Sequence, residues 1–499
     1  MTSPSSPGPS ASSARPAPSA VAVRSGPPAG PTRAVVIGGG LTGMLAATAL
    51  VRHIDEVTVV ERGELPDGPR PRRELPQARH VHVLYSGGAR VIEDLIPGVT
   101  EGWLAAGARR IPLPTGLVSY TAQGWLRRWP VEMQYLIACT RDLLDWVVRD
   151  RVLRHRAVHL LDRHELIALT GDRDGVTGVR VRTPDGTERT LGADLVVDAS
   201  GAGSPTRERL AAIGVTGIEE REVDSGLGYA SRFYRAPAGT ENFPVVNVQS
   251  APRTPVPGQT ATIVPVEDRR WLVTLSGTRG GRPTGDPDLF ETFARGVRHP
   301  VVGELLSRAE PLPGEIAVSR STVNGRRYFE RAPHWPERFV VLGDGVATYN
   351  PLYGQGMSVA AQGVAAMAAE LARAGRVDAP GLARRIQRAV ARPVGVAWEM
   401  ATSQDVLYPG AEVKSTGGPR PRPSSSLVAG YVDRITEAAT GRMSVTQAFF
   451  DVVTLSAGAA RWLHPDIVVA ALRGPGRPPL TAPPLTAKEW EAIGGYPGR

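Results

Sequence analysis

A run of apolar, mostly β-branched residues, Ala34-Val35-Val36-Ile37, ends in Gly38-Gly39-Gly40-Leu41-Thr42-Gly43, and this junction limits what the chain can fold into more than any other segment. A strand that stops in Gly38-x-Gly40-x-x-Gly43 and continues as a helix puts glycines at three places: where the turn needs unusual dihedrals, where backbone must approach a pyrophosphate, and where helix packs on strand. Exposed amides at the helix N-terminus then hold phosphate. The pattern predicts a helix from Met44 to Val51 and a second buried strand, Val57-Thr58-Val59-Val60, which ends in Glu61, 23 residues beyond Gly38. That is the distance at which a carboxylate reaches ribose hydroxyls. The competing reading of Glu61 is a solvated strand end. Two strands and a closing acid specify an adenine dinucleotide but leave NAD and FAD open.

Later segments bear on that choice. Leu195-Val196-Val197-Asp198-Ala199-Ser200-Gly201 reads as a third buried strand ending in glycine, and Glu337-Arg338-Phe339-Val340-Val341-Leu342-Gly343-Asp344 as a fourth ending in Gly-Asp. Asn350-Pro351-Leu352-Tyr353-Gly354-Gln355-Gly356-Met357 follows, before an Ala-rich helix. A carboxylate at Asp344 can bind a polyol hydroxyl. A helix N-terminus opened by glycine can hold the pyrimidine edge of a flavin and stabilise its reduced, negative form. Each element alone is also a plain turn or helix start; their order after the first motif is what points to FAD.

With these residues the chain resembles the flavoprotein monooxygenases of the p-hydroxybenzoate-hydroxylase fold, over most of its length. More narrowly, Pro76-Gln77-Ala78-Arg79-His80-Val81-His82, Ser86-Gly87-Gly88-Ala89-Arg90, Arg141-x-x-Leu144-Asp145, Ser276-Gly277-Thr278-Arg279-Gly280 and Ser319-Arg320-Ser321 resemble the epoxidases of polyether ionophore pathways, such as the monensin and lasalocid enzymes. The resemblance implies a glutathione-reductase-type, Rossmann-like α/β FAD domain built from discontinuous segments, an inserted antiparallel-sheet substrate domain and C-terminal helices. It implies oxygen transfer from a flavin C4a-hydroperoxide to alkenes of a large apolar polyene polyketide, free or presented on a carrier protein. Electrons would come from NAD(P)H directly or through a flavin reductase. The cofactor carries that chemistry, and no side chain need act covalently. By the same resemblance Gly38, Gly40 and Gly43 serve the pyrophosphate, Glu61 the ribose, and Asp344 the ribityl or pyrophosphate region. Arg62 and Arg141 contact adenosine or phosphate, and the Leu166 backbone touches adenine. Pro351, Gly354, Gln355, Gly356 and Met357 lie beside the isoalloxazine ring.

The chain departs from that family at Glu74-Leu75, where Lys-Gly is common, in a segment expected to cover the ring, and at Gln355, where His is commoner. Asp198-Ala199-Ser200-Gly201 differs from the Ala-Asp-Gly of aromatic hydroxylases, and the Trp-x-Trp-x-Ile-Pro signature of halogenases is absent. A prenyl-chain reductase of the same fold, an aromatic hydroxylase and a non-catalytic flavin scaffold remain as alternatives. His80 and His82, two apart, would share one face of a strand. Without a third ligand they read as hydrogen-bonded structural histidines and no metal is expected. The lone Cys139 excludes an internal disulfide and reads as a small buried residue in a reducing cytoplasm.

The domain limits follow from the motif positions. Residues 34–95, 140–215 and 331–375 are assigned to the FAD domain, 96–139 and 216–330 to the substrate domain, and 376–475 to a helical region that contains a Pro/Gly/Ser loop from Ser415 to Ser426. Residues 1–33, acid-free and rich in Ser, Pro and Ala, read as a disordered tail, and 476–499 as a Pro-rich tail. In the substrate domain, segments 227–234, 261–266 and 271–276 alternate as antiparallel strands, with Trp271, Val273 and Leu275 on one face. Trp271 reads as core rather than cavity lining. The formal charge of +9 comes from arginines scattered through every segment, only Lys414 and Lys488 being lysine, which argues against nucleic acid as a partner. No apolar run is long enough to span a membrane.

Overall fold

Strand Arg33–Ile37 is paired in parallel with Glu56–Val60 on one side and Leu195–Asp198 on the other, and this trio is the centre of the molecule. In the computed structural model, which describes Met1 and residues 30–416 and 426–495, Phe339–Val341 and Val158–Leu161 complete a five-stranded parallel sheet as its edges. Arg33–Ile37, Leu195–Asp198 and Phe339–Val341 are buried on both faces apart from Arg33, so they read as continuous apolar runs rather than alternating ones, whereas the edge Val158–Leu161 is partly open. Helices Leu41–Leu50, Arg141–Leu153 and Gly356–Ala374 pack around it. A three-stranded antiparallel sheet, Glu165–Gly171, Val176–Arg182 and Glu188–Gly192, lies beside it.

The second body is a ten-stranded sheet. Its long strand Glu220–Arg235 pairs with Arg270–Gly277 on one side and Ala317–Arg327 on the other; the sheet continues through Gln259–Val266 and Val245–Val248 to Leu117–Thr121. The alternating segments are therefore strands, as read. Trp271, Val273 and Leu275 face a core shared with helices Pro287–Gly296 and Val301–Leu306, so Trp271 is core. The opposite face is open to the interior cavity described below.

The packing crosses several of the expected limits. Residues 83–85, assigned to the FAD domain, pair with Gln134–Ala138 in a small sheet between the two bodies, Leu84 lying in the core of the parallel sheet and Val83 and Tyr85 packing toward the other. Val99 and Trp103, assigned to the substrate domain, are fully buried in the core of the parallel sheet, because the Trp103 indole donates to Leu144 O on the helix Arg141–Leu153. Helix Leu382–Asp405 also belongs to that core, with the side chain of buried Gln387 bonded to both backbone groups of Val341. The expected Pro-rich tail is docked through residue 495: Arg128 forms a two-pronged ion pair with Glu489, at 2.6 and 2.7 Å, and Arg308 bonds Ile493 O. Residues 2–29 of the expected N-terminal tail lie outside the described residues, while Thr32 already bonds Asp55 and Arg33 starts the first strand; of the expected loop 415–426, residues 417–425 lie outside as well.

Candidate active site

A cavity of about 630 Å³ runs between the carboxyl ends of the parallel strands and the open face of the large sheet. Ligands of open α/β sheets bind where strand ends meet like this. Gly38, Ala199 and Asp344 each follow a parallel strand and all line the cavity, as do Gly40, Glu61, Arg62 and Arg141. The loop 350–357 supplies Pro351, Gly354, Gln355, Gly356 and Met357 to the same wall. Nearly every residue expected at the site is therefore brought together.

The glycine turn divides its labour. Gly38 has φ +100, and a Cβ there would stand 2.5 Å from Ala199 O. A Cβ on Gly43 would stand 1.8 Å from Gly38 O, so Gly43 locks helix to turn; it is absent from the cavity wall. Gly40 and Gly356 meet nothing within 4 Å, so their backbones open on the cavity. Leu166 lies away from the cavity wall: its side chain is in the core and its carbonyl accepts from Arg209 at 3.3 Å.

At the expected ribose end, Glu61 accepts from Gly39 N at 2.7 Å and Gly63 N at 2.9 Å, and pairs with buried Arg72 at 3.1 Å. Arg72 escaped the sequence reading because it sits in an irregular segment. Glu74 rests against Gly63 in the turn after Glu61, and both Glu74 and Leu75 line the cavity. Asp344 meets solvent only through the cavity; burial raises its pKa and Arg141 opposes that rise. Arg141, at the start of its helix, is held by Asp145 at 2.7 Å.

At the ring end, Gln355 donates to Val453 O at 3.0 Å while its Oε1 is buried without a partner. Loop 350–357 is anchored from below by Asn350, which accepts from Tyr229, and by Tyr353, which donates to buried Asp405 at 2.8 Å. His80 and His82 are not on a strand. His80 Nδ1 lies 2.8 Å from Ser231 Oγ, His82 Nδ1 lies 2.9 Å from His80 O, and burial lowers their pKa values to about 4 and about 3. Among the described residues no group of His, Cys, Asp or Glu is arranged to hold a metal. Cys139 is buried and free.

The open backbones at Gly40 and Gly356, the carboxylates of Glu61 and Asp344 and the unpartnered Gln355 Oε1 suit a flavin dinucleotide. Residues 31–384 match the FAD binding domain family. The chain is 29% identical to Protein Rv3254 of Mycobacterium tuberculosis over 79% of its own length and 84% of the relative's. It is 28% identical to a kynurenine 3-monooxygenase of Salinispora arenicola, over 66% and 70%. Among solved structures, the flavin-dependent brominase Bmp2 shares the fold with a TM-score of 0.63 at 14% identity, covering 89% of this chain and 98% of that one. The chain belongs to the FAD-binding-domain family of flavin-dependent monooxygenases. No helix among the described residues is long and apolar enough to cross a membrane.

Proposed function

We propose that the protein epoxidises alkenes of a linear polyene polyketide, as in polyether antibiotic biosynthesis, with electrons from NAD(P)H directly or through a flavin reductase. The observation that carries this reading is the continuity of the cavity. Beyond loop 350–357 it extends along Leu113, Leu126, Leu136, Phe449 and Phe450, an apolar end well suited to an extended hydrocarbon. Reduced FAD, when bound, would supply the two electrons with which O2 is split, one oxygen atom going to the alkene and the other leaving as water. The chain's own part is to hold the dinucleotide through Gly38, Gly40, Glu61, Arg62, Arg141 and Asp344. It also presents the helix N-terminus at Gly356 to the pyrimidine edge and keeps water from the reacting alkene with apolar walls. Transfer of oxygen to an alkene needs no protein base, and the apolar end offers none.

A second reading, hydroxylation of an aromatic ring, is favoured by the similarity to kynurenine 3-monooxygenase. The test is a stopped-flow absorbance trace of the reduced, FAD-loaded protein mixed with O2, followed by mass spectrometry with an added polyene. A transient species between the reduced and oxidised spectra, with products heavier by one or more oxygen atoms and carrying epoxides, is the expected result. Oxygenation of phenols but not of polyenes would favour the second reading, and direct reoxidation with no product would overturn both.

A further inference from the structure

The face of the large sheet that looks into the cavity is sorted by polarity, row by row. Strand register places Leu117 beside Val245 and Val245 beside Val264, and all three line the cavity as an apolar row. Two residues along each strand, Ser119, Asn247, Thr262 and Thr274 stand side by side as a row of hydroxyls and one amide. A further two residues along, Gln249, Ser276 and Tyr229 also face the cavity. The floor therefore changes from hydrocarbon to hydrogen-bonding surface across one strand step, about 7 Å.

These polar groups are only partly spent on their neighbours. Thr274 Oγ1 accepts from Val81 N at 2.9 Å and lies 2.6 Å from Ser231 Oγ, and Asn247 Nδ2 donates to Thr262 Oγ1 at 2.6 Å, but Asn247 Oδ1 is buried with no partner. Gln249 reaches Ser119 only at 3.4 Å. A hydrocarbon laid across them would leave donors and acceptors dry and unpaired. Charge, by contrast, is confined to the dinucleotide end: Glu61, Arg62, Arg72, Glu74, Arg141 and Asp344 are the only Arg, Lys, Asp or Glu side chains in the wall among the described residues. No cation faces the sheet to receive a carboxylate.

From this pattern, and resting on the monooxygenase reading above, we infer that the sheet floor is a substrate subsite for a neutral, amphipathic molecule whose hydrocarbon body lies on the Leu117–Val245–Val264 row and whose hydroxyl or keto groups face Asn247, Thr262 and their neighbours. Asn247 is its specificity-determining residue. A pure hydrocarbon and a carboxylate are both rejected, the first by unpaired polar groups and the second by the absence of a counter-charge.

The experiment uses one acyclic C15 isoprenoid skeleton with three ends: farnesol, farnesene and farnesoate, titrated into the oxidised FAD-loaded protein and followed by the flavin absorbance change. Farnesol is expected to bind about tenfold tighter than either of the others, the worth of one neutral hydrogen bond in a dry site. The double variant Asn247→Leu, Thr262→Val should bring farnesol and farnesene to equal affinity with FAD affinity unchanged. The inference is overturned if farnesene or farnesoate binds the unaltered protein as tightly as farnesol, if none of the three binds, or if the preference for the alcohol survives in the double variant. Because the readout is binding to oxidised protein, it is independent of whether the reduced protein yields an oxygen-transferring species, which the stopped-flow trace decides.

Discussion

The Tyr229 hydroxyl, on the long strand of the large sheet, donates to Asn350 Oδ1 at 2.5 Å, tying the cavity floor to the loop that carries Pro351 and Gly354. Asn350 Nδ2 passes the connection to Asp405 at 2.9 Å, where Asn324 at 2.6 Å and Tyr353 at 2.8 Å also converge. Burial raises the Asp405 pKa while these donors oppose the rise. Asp405→Ala strands three buried donors and is expected to lower stability by about 2–4 kcal/mol and to loosen FAD retention. Urea unfolding and flavin content after gel filtration check this. Wild-type values for both would mean that the loop does not depend on the carboxylate.

Asp344→Ala is expected to weaken FAD binding by about 1.5–3 kcal/mol, the worth of a charge-assisted hydrogen bond. Titration of the apoprotein measures it. Unchanged affinity would mean that the ribityl and pyrophosphate contacts lie elsewhere.

Two neighbouring glycines should fail differently. At Gly43 a Cβ would sit 1.8 Å from Gly38 O, whereas at Gly40 it meets no atom within 4 Å. Gly43→Ala therefore costs stability of the apoprotein, by roughly 1–3 kcal/mol or more. Gly40→Ala leaves the apoprotein melting temperature intact but obstructs the approach of the pyrophosphate. Thermal melts with and without FAD separate the two, and equal behaviour would refute the division of roles.

Much of the cofactor half was legible because it is written locally: Gly38 to Gly43, Glu61 and Asp344 each sit at the end of a short apolar run whose period and punctuation identify it. The Tyr229–Asn350–Asp405 chain was not, since its partners lie 121 and 55 residues apart and meet only through register and helix packing. Arg72 was missed for a related reason, being a basic residue in an irregular segment that acquires meaning only by reaching Glu61. The domain limits failed where an apolar residue had two possible cores: nothing in the sequence around Trp103 states which sheet it will cover. Trp271, on a strand with strict alternation, was read correctly as core. Its replacement by Ala should cost about 3–5 kcal/mol while leaving the flavin spectrum unaltered.

His80 sets a pH dependence. Its pKa is lowered from 6.5 to about 4 by burial, so the folded protein holds the neutral ring. A depressed folded pKa contributes stability that is present above pH 6.5 and is lost as pH falls through about 4, because the unfolded chain takes up the proton first. His80→Asn, which has no proton to take up, should melt with a shallower dependence on pH between 6.5 and 4 than the unaltered protein. Parallel curves would show that His80 titrates normally.

The family match ends at residue 384, yet Phe449, Phe450 and Val453, on or beside the helix Met443–Val453, wall the cavity and receive the Gln355 side chain. The dinucleotide end thus lies wholly within the matched stretch, whereas the far end is closed partly by chain beyond it, and the Gln355–Val453 bond joins the two.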